Sequence, residues 1–387
     1  MFGQILEIAL MNLRNLPSRI GSSSVIVVGI GGVVGVLIAI LAMAAGFKST
    51  LERGGEPDRA LVLRGGSTSE LSSGVSVEER GVIGSMEGVL LASPELYVVA
   101  DVPKRATGSD ANLILRGVTQ AAFDLRDEVT IVEGRNFEPG KAELIAGRSA
   151  HTEFAGIDVG NTVRLRQSEL TVVGIFEAGG SAYESELWMD LIFAQSSFRA
   201  EGAISSMRLR VDSPARIPEL AQQVEDDPRL DLTVQSEEEF FASQSADLTS
   251  TIETFGSAVA TIMAIGAVFA ALNTMYTAVV TRTVEIATLR ALGFGGLPVV
   301  ISVMIESLTL ALLGGALGAA VAYLVFDGFT ASTLNNVSFS QVAFDFAVTP
   351  ELIRDGVTWA VLLGAVGGLF PAIRAARLPI TVALRGE

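Results

Sequence analysis

Four long apolar runs, unevenly spaced along the chain, constrain this protein more than any single residue does. The first lies between Arg19 and Lys48. The other three are packed into the last third, between Glu253 and Arg282, Arg290 and Asp327, and Asp355 and Arg374. Each exceeds or nearly matches the ~20 residues that a helix needs to cross a bilayer. About 200 residues of mixed polarity separate the first run from the second, far more than an ordinary loop. The pattern predicts an α-helical membrane protein with four transmembrane helices and an α/β (α+β) extracytoplasmic domain inserted between the first span and the second. The boundaries read as a cytoplasmic N-terminal helix and first span over 1–47, an outer domain over 48–254 and a second span over 255–280. A cytoplasmic loop over 281–298, a span over 299–326, an extracytoplasmic loop over 327–354, a span over 355–371 and a cytoplasmic tail over 372–387 follow.

Charge sets the orientation. Segments 1–24, 281–298 and 372–387 together carry seven arginines against three glutamates, a net +4. Segment 48–254 holds 19 Lys and Arg against 35 Asp and Glu, a net −16. Short basic segments stay in the cytoplasm, so both termini and the 281–298 loop are expected inside and the acidic domain outside. That acidity argues against nucleic acid as a partner and against an electrostatic grip on anionic lipid. Ala42-Met43-Ala44 has the small-x-small form of a signal-peptide cleavage site, but the uncharged stretch is roughly twice a typical h-region, so the first run reads as a retained anchor. The chain has no cysteine, hence no disulfide framework, thiolate metal site or cysteine nucleophile.

The outer segment reads as α/β. Ala60–Leu63, Tyr97–Ala100, Leu113–Arg116 and Met207–Val211 are β-prone, and Ser76–Met86 and Ile217–Asp226 have amphipathic helical spacing. Ser76 with Glu79 three residues on has the form of a capping box. From about 118 to 198 the character changes to strands punctuated by glycine, including Thr162–Leu165 and Leu170–Phe176. The economical reading is a β-rich insert over about 118–198 between α/β halves over about 48–117 and 199–235, followed by a stalk helix over 236–254. Glu237, Glu238 and Glu239 follow Ser236, where acidic side chains oppose the positive end of a helix dipole. A solvated cap explains them better than a metal site does.

No catalytic constellation emerges. His151 is the only histidine and lies in a polar stretch beside Thr152 and Glu153. Gly46-Phe47-Lys48-Ser49-Thr50 lacks the upstream glycine and the adjacent Gly-Lys of a phosphate cradle, and it falls at the outer membrane boundary. The expectation is therefore no enzyme, no metal and no cofactor held by this chain. Any ATP is bound by another polypeptide.

The cytoplasmic loop is the most specific local signal: Arg282-Thr283-Val284-Glu285-Ile286-Ala287-Thr288-Leu289-Arg290-Ala291-Leu292-Gly293. With the ending Pro371-Ala372-Ile373-Arg374-Ala375-Ala376-Arg377-Leu378-Pro379-Ile380-Thr381-Val382-Ala383-Leu384-Arg385, it resembles the MacB/FtsX-like family of ABC-transporter permeases. Gly134-Arg135-x-Phe137 and the stretch from Val159-Gly160-Asn161 to Val172-Val173-Gly174 are similar to that family's periplasmic core domain. The resemblance covers essentially the whole chain. Its layout, starting almost at the first span, is that of the DevC-, HrtB- and LolC/LolE-like members, whose ATPase is separate.

The resemblance implies a permease subunit in a bacterial inner membrane, with its large domain in the periplasm. The implied partners are a separate ABC ATPase, a second permease copy in a dimer, the lipid bilayer and, in a two-membrane cell, a membrane-fusion protein and an outer-membrane exit duct. It implies mechanotransmission, in which ATP-driven motion reaches the outer domain through the spans. A lipoprotein extractor like LolC/LolE and an FtsX-like regulator of a cell-wall hydrolase share the architecture and stand as alternatives. Arg282, Glu285, Ile286, Leu289, Arg290 and Gly293 are the expected ATPase-coupling residues, with Ile286 and Leu289 docking in a groove.

Two features inside the spans remain. Gly31-x-x-x-Gly35, Gly314-x-x-x-Gly318 and Gly364-x-x-x-Gly368 permit close helix approach, for which ordinary packing within the chain is the plain reading. Glu306 lies about two turns into its span; such a carboxylate is either functional or a structural group that is hydrogen-bonded or snorkels to the interface.

Overall fold

The computed structural model describes residues 20–165, 168–335 and 340–379. The cytoplasmic helix expected within 1–19 and the end of the basic tail, including Arg385, lie outside the described residues. Along the chain the elements are α1 (Ile20–Glu52), β1 (Arg59–Arg64), a 3-10 turn (Glu70–Ser72), α2 (Val77–Gly84), β2 (Val89–Pro103), β3 (Asp110–Val118), α3 (Gln120–Leu125), β4 (Thr130–Gly134), β5 (Glu143–Gly147) and α4 (Arg148–Glu153). They continue with β6 (Thr162–Leu165), β7 (Ser168–Glu177), a 3-10 turn (Ala182–Ser185), β8 (Glu186–Asp190), α5 (Leu191–Ser197), β9 (Ser206–Val211), α6 (Arg216–Asp226) and β10 (Leu232–Ser236). The last are α7 (Glu237–Thr281), α8 (Thr283–Ala291), α9 (Gly296–Phe326), β11 (Thr330–Asn335), β12 (Ser340–Asp345) and α10 (Pro350–Arg377).

Helices α1, α7, α9 and α10 are long and apolar enough to cross a membrane. Their starts follow local chemistry. Gly295, extended at φ −70° and ψ 166°, precedes α9, and Thr349 caps α10 by accepting a bond from the Leu352 N–H with Pro350 in the first turn. The chain divides into two compact units. The membrane unit comprises the described residues up to Ala45, then Thr251–Phe329 and the residues from Phe346 onward. Its core joins Ile30, Val34 and Ile38 of α1, Ala271 and Met275 of α7, Val303 and Ala311 of α9, and Ala360 and Leu363 of α10. Phe255, Ile262 and Leu324, at 71%, 71% and 80% exposure, point away from that core, as expected of side chains that face lipid.

The outer unit comprises Gly46–Ser250 and the hairpin Thr330–Asp345. Its sheet runs β10-β1-β9-β2-β3-β8-β5-β7-β4, with β6 beside β7. The 15-residue β2 explains the continuity: Val89–Glu95 pairs with β9 and Leu96–Pro103 with β3. Strand β3 then pairs in parallel with β8, so the strands of the expected β-rich insert extend the same sheet rather than forming a separate one. The capping box at the start of α2 is present: Ser76 Oγ accepts from the Glu79 N–H at 3.2 Å, and the Glu79 carboxylate accepts from the Ser76 N–H at 2.8 Å.

Segment 327–354, expected only as a connecting loop, carries the β11–β12 hairpin. The Ala343 N–H donates to Ser185 Oγ at 3.0 Å, Lys104 Nζ donates to Ser332 Oγ at 3.1 Å, and Phe344 meets Phe47 edge-on at 5.5 Å. Val342 and Phe344 alternate inward, which gives the hairpin one apolar face to bury.

Candidate functional site

The 281–298 loop, expected to face the cytoplasm, folds as α8 between α7 and α9. Helix α7 ends at Thr281, and Arg282 takes φ −107° and ψ 12° before α8 begins. Arg282 sits where a capping side chain would sit but makes no cap bond. Its guanidinium reaches across to α9 instead. Nη1 donates to Glu306 Oε2 at 2.8 Å and Nη2 to Oε1 at 3.3 Å, with both side chains buried. Glu306 is therefore paired inside the bundle rather than snorkelling, and the two charges satisfy each other in a two-pronged contact. A small cavity beside the pair is lined by apolar side chains, Met275, Ile286, Leu289 and Val299 among them, and by Glu285 and Ser302.

Helical spacing turns Arg282, Ile286 and Leu289 toward α9. Ile286 is buried in the chain's own core with Val279, Val299 and Val303. The expectation that it docks outward is corrected: residues three and four apart share a face, and that face is already covered here. The outward face carries Val284 at 55% exposure, Glu285, Thr288 and Leu292 at 73%. Arg290 is also engaged, donating from Nη1 to the Leu378 carbonyl at 2.6 Å. Gly293, at φ +96°, ends the helix, and the Phe294 N–H bonds back to the Leu289 carbonyl at 3.1 Å. That closure needs the left-handed conformation that glycine adopts without strain. Nearby, the Arg374 guanidinium lies over the Tyr276 ring, 5.6 Å from its centre.

The three glycine pairs are spent within the chain. A Cβ on Gly31 would lie 3.0 Å from the Gly314 carbonyl oxygen, and one on Gly35 would lie 3.4 Å from that of Gly318, so the α1 and α9 motifs cross each other. Gly364 and Gly368 of α10 face Ser307 and Ala311 of α9, and Ser307 Oγ donates to the Gly364 carbonyl at 2.7 Å. At the α1–α9 crossing the glycine backbones meet directly, and at the α9–α10 contact only the small side chains of Ser307 and Ala311 intervene, the arrangement small residues permit in membranes.

The outer unit holds a second group of charges that the sequence reading missed. Arg116 of β3 donates to Glu186 at 2.7 Å, to Glu70 at 2.8 Å and to Glu95 at 2.9 Å. Arg208 of β9 donates to Glu70 at 2.7 Å, to Glu95 at 2.8 Å and to Glu237, the first residue of α7, at 2.7 Å. Arg126 donates to Glu95 at 2.7 Å, and its guanidinium lies 4.6 Å from the centre of the Tyr183 ring. Glu237 is fully buried, so only Glu238 and Glu239 fit the expected solvated cap, where Ser236 Oγ accepts from the Glu239 N–H at 3.1 Å.

Burial by itself would push the Glu70 carboxyl up, but Arg116 and Arg208 outweigh it and hold the group well below the usual carboxylate range. At Glu95 burial is likewise outweighed, by Arg126, Arg208 and Arg116. At Glu237 burial prevails over Arg208, Arg126 and Arg59 and pushes the carboxyl up. A signal for this cluster exists in the sheet register: Tyr97 faces Arg116, Ser93 faces Arg208 and Arg116 faces Trp188. Such pairings become readable only once strand partners are known. His151 contacts Asp158 at 3.0 Å, an acid also bonded by Arg105.

Residues 23–227 match the family model described as MacB-like periplasmic core domain, and residues 257–380 match FtsX-like permease C-terminal. The macrolide export ATP-binding/permease protein MacB of Pasteurella multocida is 26% identical over 76% of this chain and 46% of its own length. That of Bdellovibrio bacteriovorus is 25% identical over 94% of this chain and 58% of its own length. An uncharacterised ABC transporter permease of Methanocaldococcus jannaschii is 24% identical over 66% of each chain. The chain thus spans about half the length of the MacB relatives it matches. Among solved structures, the periplasmic region of MacB from Actinobacillus actinomycetemcomitans aligns with a TM-score of 0.37 at 13% identity, covering 52% of this chain and 95% of that one. The family models cover most of the chain in the order of its two sequence signals, and the chain belongs to the MacB-like, FtsX-like family of ABC-transporter permeases.

Proposed function

We propose that this permease is the membrane subunit of a transporter whose ATP hydrolysis is done by a separate ATPase. In this reading it works as a dimer in a bacterial inner membrane, and motion at α8 is passed through the spans to the outer domain. The observation that carries the reading is the two-sidedness of α8. Its inner face is fastened to α9 through Arg282 and Ile286, while Val284, Glu285 and Leu292 are left exposed on a segment expected in the cytoplasm. A short helix that is anchored on one face and exposed and partly apolar on the other is suited to seat in a groove of a motor protein. The names of the MacB relatives favour export over the regulatory alternative. A membrane-fusion protein and an exit duct complete the reading in a two-membrane cell.

The docking claim is tested with Val284→Glu combined with Leu292→Glu. The variant is expected to insert normally and to lose co-purification with the ATPase; undiminished co-purification overturns the claim. Transmission is tested at Ser250 in α7. Proline there removes a backbone donor and costs about 3 kcal/mol or more of helix stability. ATP hydrolysis should continue and export should fail, whereas Ser250→Ala should behave as wild type. Normal export by an inserted Ser250→Pro protein refutes transmission through this helix. Orientation is tested in the cysteine-free chain with single cysteines at Ser197 and Gly295. An impermeant thiol reagent should label the first and spare the second in intact spheroplasts.

A further inference from the structure

We propose that Arg282 and Glu306 form the joint that makes α8 and α9 move as one body, so that the third span takes up the motion of the coupling helix. This inference rests on the coupling reading above and assigns to Glu306 a positioning role that neither its own segment nor the loop reveals.

Arg282 occupies the one residue between α7 and α8, where the helical ladder is interrupted. Its N–H still bonds the Val279 carbonyl at 3.2 Å, and its carbonyl accepts from the Ile286 N–H at 2.9 Å, so the backbone belongs partly to each helix. A junction of that kind is the natural place for α8 to swing relative to α7. The side chain at the junction is the one that grips α9. Both oxygens of Glu306 are engaged by both terminal nitrogens of Arg282, which fixes orientation as well as distance.

The surroundings make the grip hard to release. The neighbouring side chains Met275, Val279, Ile286, Val299 and Val303 are apolar, and the one further charge in the lining, Glu285, sits on α8 itself, so that a shift of Arg282 to Glu285 would leave Glu306 buried and unpaired. Separating a buried pair strands two unpaired charges, which is far costlier than moving both elements together. Ser302 and Ser307 are the buried polar residues flanking Glu306 on α9. Ser307 is committed to the Gly364 carbonyl of α10. Motion received at α9 is therefore handed on to α10 through a contact already in place.

The test uses the full-length permease in nanodiscs, spin-labelled at Thr288→Cys on α8 and Leu313→Cys on α9, both exposed and in a chain with no native cysteine. Wild type is expected to give one narrow distance peak that stays in place when the co-purifying ATPase and ATP are added. Arg282→Gln and Glu306→Gln should each lose the narrow peak and show an ATP-dependent shift, while ATP hydrolysis by the complex continues. The exchange of Arg282→Glu with Glu306→Arg should restore the narrow peak. Should a neutral variant fail to insert, Arg282→Lys replaces it. It keeps the charge without the second prong and should also broaden the peak.

The proposal is overturned if the single variants keep the wild-type peak. It is equally overturned if ATP moves the wild-type peak, or if the inserted exchange variant stays broad. The coupling reading is judged separately by the Thr288 label alone, which the ATPase should immobilise. Failure there removes the motor contact, while the distance data still decide the joint.

Discussion

The outer unit and the membrane unit both bury charge, and they do so on different scales. In the outer unit Arg116, Arg126 and Arg208 meet Glu70, Glu95, Glu186 and Glu237, with several donors converging on one acid. Among the described residues of the membrane unit, the buried ion pair is that of Arg282 with Glu306. The sheet has one face packed into an apolar core around Leu115, Leu187 and Leu209, and its other face carries the charged rows. The bundle brings backbones together at Gly31, Gly35, Gly314 and Gly318 and leaves little room for polar groups. A sheet face can hold a network because neighbouring strands align side chains in rows. Helices crossing at glycine bring backbones together rather than rows of side chains, so charge is buried there pair by pair.

The largest effect that would break this contrast is expected at Arg208. Arg208→Met removes the cation shared by Glu70, Glu95 and Glu237 and should cost about 3–5 kcal/mol, because it leaves buried carboxylates underpaired. Denaturant unfolding followed by Trp188, which is buried beside the network, measures it. A loss below about 1 kcal/mol would mean that the network contributes no more than a surface pair.

A smaller cost is expected in the bundle. Gly31→Val drives a branched side chain against the Gly314 carbonyl, 3.0 Å from where its Cβ would lie, and should cost about 1–3 kcal/mol. Thermal unfolding in detergent measures it. A neutral result would show that the crossing is looser than its geometry.

Acid titration sharpens the comparison further. Glu70 and Glu95 have depressed values in the folded protein, so their contribution is complete above the ordinary carboxyl value of 4.5. It is lost only as pH falls through the depressed values. Glu237, raised by burial, works in the opposite sense and gains as pH falls. With two acids against one, the near-UV signal of Trp188 should persist through pH 4.5 and fade below it, and Arg208→Met should move that fading to higher pH. A wild-type signal that disappears above pH 4.5 contradicts the assignment.

The smallest effect is at the capping box. Ser76→Ala removes the acceptor for the Glu79 N–H and should cost about 1 kcal/mol, with the Trp188 environment unchanged. Amide exchange along Val77–Gly84 reads it locally. An unaltered exchange pattern would show that the packing of Ile83, not the cap, holds this helix.

Much of the architecture was legible from the chain. The capping box at Ser76, the strand Thr162–Leu165 and the helix following Ile217 need only near neighbours in sequence, and each lies where its residues indicate. The interior charges of the outer unit were not legible. Glu237 is locally one of three acids after a serine, and nothing in that stretch separates the fully buried member from the exposed two. The hairpin at Thr330–Asp345 was hidden for a related reason: its inward Val342 and Phe344 make a short apolar pattern, and it gains meaning from Ser185, Lys104 and Phe47 far away in sequence. At the 281–298 loop the helix-ending Gly293 was legible, but which face of α8 is covered depended on α9.

What the sequence determined alone was the set of spans, their order, and the helix-ending glycine of the loop. Crossing a bilayer is a demand on consecutive residues, and a left-handed turn is a demand on one, so both are written locally. What only the tertiary structure decided was the pairing of charges. Arg282 and Glu306 are 24 residues apart, and Arg208 and Glu70 are 138 apart. A buried ion is stable only beside its opposite, and which opposite it meets is set by helix crossings and strand register that no local pattern contains.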